Sequence, residues 1–199
     1  MQVYITDAWS ERDLRAVQHL EDEVFRREMR INLPEFRVPR GVAMLRLLAR
    51  LKPDSDSVGT LTVVETTGDH DLHRASGVTV QADARIARYT RLAVLPQHRG
   101  YGLSIRLMLE AHERFCAQNG IYKTWLLLDT RRAPSSLIAS VLGFTCGAKT
   151  IRSEYGPCRV LSRKELSSAA TEGTRRGWAF VSRHQELIGG ARQVVMSGD

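Results

Sequence analysis

Two glycines spaced by one residue, set between an apolar run and a helix-like repeat, constrain this chain more than any other feature. The stretch from Tyr89 to Leu109 reads Y-T-R-L-A-V-L-P-Q-H-R-G-Y-G-L-S-I-R-L-M-L. Tyr89 to Leu95 has the apolar and β-branched character of a strand. Pro96 ends it, because proline has no N–H to give to a sheet ladder. Gln97 to Gly102 is a short loop. Leu103, Ile105, Leu107, Met108 and Leu109 then open a helix that continues through Phe115 towards Asn119-Gly120. Strand, glycine loop and helix start together make an anion site: the first N–H groups of a helix lack partners within it, and its dipole is positive there. Glycines let the loop backbone approach a phosphate closely. An ordinary β–α connection uses the same short pattern, so the loop alone leaves both readings open.

The residues around it carry a resemblance. V-x-P-Q-H-R-G-Y-G-L resembles the pyrophosphate-binding signature of the GNAT superfamily, the acyl-CoA-dependent N-acyltransferases: Gln or Arg, two residues, Gly, one residue, then Gly or Ala, after an apolar strand. Gln97, Gly100 and Gly102 fill the fixed positions, and Arg99 stands where the family often has arginine. Leu142-Gly143-Phe144 is similar to a second family feature downstream. The resemblance implies an α/β (α+β) fold with a central mixed, mostly antiparallel sheet, flanked by helices and splayed at the acyl-CoA site. It also implies acetyl-CoA or acyl-CoA as cosubstrate, held by Leu92, Ala93, Val94, Gln97, His98, Arg99, Gly100, Tyr101, Gly102, Leu103 and Ser104.

Composition sets outer bounds. A chain of 199 residues with 43% hydrophobic and 26% charged residues suits one globular domain with a substantial core. No apolar run reaches the roughly 20 residues of a membrane span. The amino-terminal residues do not resemble a signal peptide. Cys116, Cys146 and Cys158 read as reduced, packed thiols, and the chain as cytoplasmic. The net charge of +7 comes mostly from arginine, scattered in pairs such as Arg26-Arg27 and Arg131-Arg132. Without a basic stripe with interleaved aromatics, a helix-turn-helix or a metal-finger spacing, no nucleic acid partner is expected, and coenzyme A or an acidic carrier protein explains the charge more economically.

Taken in order, Val3 to Thr6 is a first strand, and Ser10 or Asp7 caps an amphipathic helix over about residues 11–30. Within it, L-E-D-E-V-F-R-R-E resembles the L-R-x-x-V-F-x-x-E helix of the N-acyl amino acid synthases and acyl-homoserine-lactone synthases, which draw on acyl carrier protein or CoA. Leu20, Val24, Phe25 and Glu28 match, while Glu21 replaces the arginine. Gly41 to Leu51, with Met44, Leu45, Leu47, Leu48 and Leu51, reads as a second amphipathic helix. Strands follow at Leu61–Val64, Gly77–Val80, Arg85–Leu95 and Trp125–Leu128, with a turn at Thr67–His70. Pro134 opens a helix that Gly143 ends, and Thr150–Arg152 and Cys158–Leu161 form the last strands. Residues 1–165 read as the GNAT-like domain, and 166–199 as a helical extension packing on it or on a partner.

The proton-handling side chains are where the chain departs from the family. The family's frequent tyrosine acid falls on Ala139, and its frequent glutamate base near Arg88. Thr90, Ser140 and Tyr89 are the nearest polar substitutes, and Arg88 would suit an acceptor bearing a carboxylate, because its planar fork binds carboxylates at two points. Thr90, Ser140 and Arg88 are therefore the catalytic candidates. His70, Asp71 and His73 lack the further ligand that a metal site needs, so no metal is expected. Three functions follow: transfer of an acyl group from CoA to the amine of a small molecule; a carrier-protein-dependent N-acyl amino acid synthase with an apolar tunnel lined by Leu20–Phe25 and Gly41–Leu51; or an acyl-CoA-binding domain without catalysis. A homodimer is compatible with each.

Overall fold

The computed structural model describes residues 3–38, 40–66, 84–129, 138, 140–165 and 167–195. Strand β1 (Tyr4–Asp7) leads into helix α1 (Glu11–Glu21). Ser10 caps α1 by accepting from the Asp13 N–H at 3.1 Å, and the Asp13 carboxylate returns to the Ser10 backbone. The helix does not keep its α pitch to residue 30. From Asp22 to Glu28 it widens, so that the Met29 N–H reaches back five residues to the Val24 carbonyl at 3.0 Å.

Six more strands and two helices complete the described body: β2 (Met44–Arg50), β3 (Ser57–Thr66), β4 (Ile86–Val94), α2 (Leu103–Ala111, widening over His112–Ala117), β5 (Lys123–Asp129), β6 (Thr145–Ser153), β7 (Gly156–Lys164) and α3 (Ser168–Val195). Among the described residues the strands form one seven-stranded sheet in the order β1-β2-β3-β4-β5-β7-β6. Every pairing is antiparallel except β4–β5, which is parallel. The mixed, mostly antiparallel sheet expected from the sequence is present. Gly77–Val80 and Thr67–His70 lie outside the described residues. Of the helix expected from Pro134, Ile138 and residues 140–142 are described, and they are helical.

The second helix expected over Gly41–Leu51 is a strand. Leu45, Leu47 and Ala49 face the core beneath α2, whereas Leu48 packs with Ala8, Val17 and Leu20 beneath α1. Covered on both faces between β1 and β3, β2 carries apolar residues on both, and such a run has no period that separates strand from helix. Cys146 also differs from expectation. It is exposed on β6, the edge strand, while Cys116 and Cys158 are buried.

Helix α3 docks against the body through glycines. A Cβ at Gly173 would lie 2.2 Å from the Leu142 carbonyl oxygen, and one at Gly177 would lie 2.8 Å from the Leu142 side chain and 3.1 Å from that of Leu109. One turn further on, Val181 is buried in the core shared with α2. No described helix is long and apolar enough to cross a membrane.

Candidate active site

The sheet opens at its centre. β4 and β5 pair through Ile86↔Lys123, Ala87↔Thr124 and Arg88↔Trp125, and from Tyr89 onward β4 pairs, among the described residues, with β3 alone. A bulge accompanies the parting. Thr60 faces Ala93 and Thr62 faces Thr90, so Arg91 and Leu92 together stand against Leu61. Arg91 takes a left-handed backbone, φ 55°, which costs a non-glycine residue about 1–3 kcal/mol. Its side chain is held on several sides. One guanidinium nitrogen donates to Glu21 at 2.7 Å, another to the Pro34 carbonyl at 2.5 Å, and the group lies 5.3 Å from the centre of the Phe36 ring. Burial pushes the Glu21 carboxyl up, against the pull of Arg91. Glu21, the position that breaks the helix motif, thus anchors the bulge.

Beneath the opening lies a cavity of about 710 Å³. At one end the glycine loop reaches α2: Pro96–His98 form a tight turn, and Gly100 and Gly102 have φ 83° and 73°, conformations that favour glycine. Gly102 directly precedes α2, and its carbonyl accepts the Arg106 N–H at 2.9 Å. The N–H groups before Arg106 therefore point out of the helix end. Leu92, Val94, His98, Arg99, Gly100, Gly102, Leu103 and Ser104 line the cavity. Gln97 and Tyr101 are exposed, and Ala93 packs with Val24 and Phe25 instead. Arg99 is committed elsewhere. Its Nε donates to the Val94 carbonyl at 2.8 Å, and its two terminal nitrogens grip the Glu28 carboxylate at 2.6 and 2.5 Å.

At the other end, Thr90 and Arg88 reach the cavity and Ser140 does not; Ser140 is exposed on its helical turn. Ala139 is outside the described residues. Arg88 donates to Glu154 at 2.6 Å, its group lies 4.9 Å from the Trp125 ring centre, and its Nε is buried with no hydrogen-bond partner among the described residues. Thr90 shares a hydrogen bond of 3.1 Å with the hydroxyl of Tyr155, on the turn between β6 and β7. Burial raises the Tyr155 phenol above its ordinary value, and the Thr90 bond only partly offsets this. Tyr155 escaped the sequence reading because nothing local marks it; its partner is 65 residues away. Tyr89, named as a polar substitute, also lines the cavity, and its hydroxyl lies 3.4 Å from the Cys116 sulfur. Burial drives the Tyr89 phenol well above its ordinary value and the Cys116 thiol up to about 12, so both stay protonated at neutral pH.

No protein-family model matches the chain, and no curated protein is similar to it in sequence. Solved structures are similar in fold. An acyl-CoA N-acyltransferase from Pseudomonas aeruginosa aligns at 17% identity and TM-score 0.57, over 81% of this chain and 98% of its own. NAA60 of Arabidopsis thaliana in complex with acetyl-CoA aligns at 15% and 0.61, over 83% and 100%. The CoA-dependent acyl-homoserine lactone synthase BjaI, with SAM and isopentyl-CoA, aligns at 19% and 0.59, over 92% and 98%. The chain has the GNAT fold of the acyl-CoA N-acyltransferases.

Proposed function

We propose that the chain is an N-acyltransferase that moves an acyl group from a coenzyme A thioester to the amine of a small molecule. The observation that carries this reading is the parting of β4 and β5 after Arg88↔Trp125, above a cavity whose far wall is the glycine loop. Among the described residues, the parting leaves the β5-facing backbone of β4 from Tyr89 to Val94 without a strand partner, so an amide-bearing pantetheine arm can pair there as a strand would. The loop amides and the start of α2 receive the pyrophosphate. Val24, Phe25 and Met29, turned inward by the widened end of α1, give an acyl chain a dry surface.

The amine nitrogen attacks the thioester carbon, the carbon–sulfur bond breaks, the amine loses a proton to water and the thiolate takes one. Alignment of the two substrates supplies most of the rate. Tyr155, kept protonated by burial and aimed by Thr90, is the proton donor that this reading assigns to the leaving thiolate. Arg88 lines the cavity as a cation that can draw an amine also carrying a carboxylate. Incubation with acetyl-CoA and longer acyl-CoA esters against a panel of amines, amino acids included, tests the reading through release of free thiol. No thiol with any pair, together with no thermal stabilisation by any CoA ester, would sink it.

A further inference from the structure

Helix α3 is placed where an appendage would have no reason to be. It rests on the glycine that opens α2: the ideal Cβ of Gly102 would stand 3.4 Å from the Phe180 ring and 3.7 Å from Val181. Phe180 stacks on His184, ring centres 3.9 Å apart and 29° between planes, and both line the cavity beside Gly100, Gly102 and Ser104. The imidazole is oriented from within its own helix. Its Nδ1 lies 2.9 Å from the Phe180 carbonyl, which can only accept, so Nδ1 donates there and Nε2 is the ring nitrogen not committed to the helix. The charge balance at this end of the cavity makes the placement significant. A pyrophosphate brings several negative charges, yet the arginine of the glycine loop is already matched by Glu28 and the Val94 carbonyl. Among the described residues, the other basic side chains lining this end are His98 and His184.

We infer that α3 is part of the donor site: His184, as an imidazolium, keeps Nδ1–H on the Phe180 carbonyl and donates Nε2–H to a phosphate of the nucleotide end of the donor, while Phe180 holds the ring against the mouth of the glycine loop. This rests on the CoA reading above and adds to it a wall contributed by the carboxy-terminal helix.

The test compares full-length protein with its His184→Ala and Phe180→Ala variants, titrated with coenzyme A, dephospho-CoA and S-acetylpantetheine, which lacks the nucleotide. Thermal melts establish that each variant is folded. Both variants are expected to bind coenzyme A about tenfold more weakly, the size of one lost hydrogen bond to a charged group. Their binding of S-acetylpantetheine is expected to be unchanged. Equal losses for coenzyme A and dephospho-CoA put the contact at the pyrophosphate, and a loss for coenzyme A alone puts it at the 3′-phosphate; either supports the inference. Coenzyme A affinity that is unchanged or tighter in both folded variants overturns it, as does an equal loss for S-acetylpantetheine. A wild-type protein that binds no coenzyme A overturns the donor reading itself, a distinguishable result.

Discussion

Glu28, on the widened end of α1, closes a two-point ion pair with Arg99 of the glycine loop, at 2.6 and 2.5 Å. The pair joins the amino-terminal helix to the glycine loop across 71 residues of sequence. It fixes the loop arginine by geometry as well as charge, because a guanidinium fork meets both carboxylate oxygens at once while its third nitrogen reaches the Val94 carbonyl.

Arg99→Lys therefore keeps the charge and loses the fork. Coenzyme A binding is expected to weaken by about three- to tenfold, with at most about 1 kcal/mol lost in stability because the pair is partly exposed. Calorimetric titration and a thermal melt read the two effects. A lysine variant that binds like wild type would show that charge alone matters at this position.

Tyr155→Phe removes one hydroxyl and leaves the ring against Phe25. The turnover number is expected to fall about a hundredfold, the lower range for loss of a positioned proton donor, while donor affinity holds. Thr90→Val, which removes the partner that aims the hydroxyl, is expected to cost less. Equal turnover in Tyr155→Phe and wild type would reduce Tyr155 to a packing role.

Glu165 sits in a buried network with Arg163, at 2.8 Å, His112, at 2.9 Å, and the Thr124 hydroxyl. Burial pushes its carboxyl up, but the hydrogen bond with His112, the charge of Arg163 and the bond from Thr124 more than offset this and hold it below the ordinary 4.5. A depressed carboxyl binds its proton less well folded than unfolded. Its contribution is thus present above about pH 4.5 and lost as pH falls through the folded value. Glu165→Gln is expected to cost about 3 kcal/mol at pH 7 by stranding Arg163. It is also expected to flatten the fall in stability below pH 4.5 in urea unfolding. An unchanged acid limb would place the titration elsewhere.

Gly173→Ala puts a methyl 2.2 Å from the Leu142 carbonyl oxygen, a backbone atom that cannot step aside. Undocking α3 is expected to cost about 1–3 kcal/mol. Limited proteolysis should then cut between β7 and α3 in the variant before it cuts wild type. Matched digestion patterns would show that α3 is held by contacts other than its glycine seam.

The glycine loop was legible because its demands are local. Gly100 and Gly102 sit at left-handed φ that other residues resist, Pro96 ends the strand, and the leucines of α2 repeat at helical spacing. Strand β2 was not legible, since its leucines are buried on both faces by neighbours from distant parts of the chain. The departure of Glu21 from the helix motif showed in the sequence as a mismatch, and only the fold revealed its partner, Arg91, 70 residues on. Tyr155, His184 and Phe180 carried no local signal, because nothing in a turn or a helix face says which cavity it will border.

The sequence by itself determined the shape of the glycine loop and the helix start that follows it, since backbone conformation at a glycine and the exposed N–H groups of a helix start are properties of a few adjacent residues. Tertiary structure alone decided which side chains stand around the reacting atoms. The parting of β4 from β5, the turn bearing Tyr155 and the docking of α3 each bring together residues whose proximity depends on packing between elements, and no short stretch of sequence encodes that.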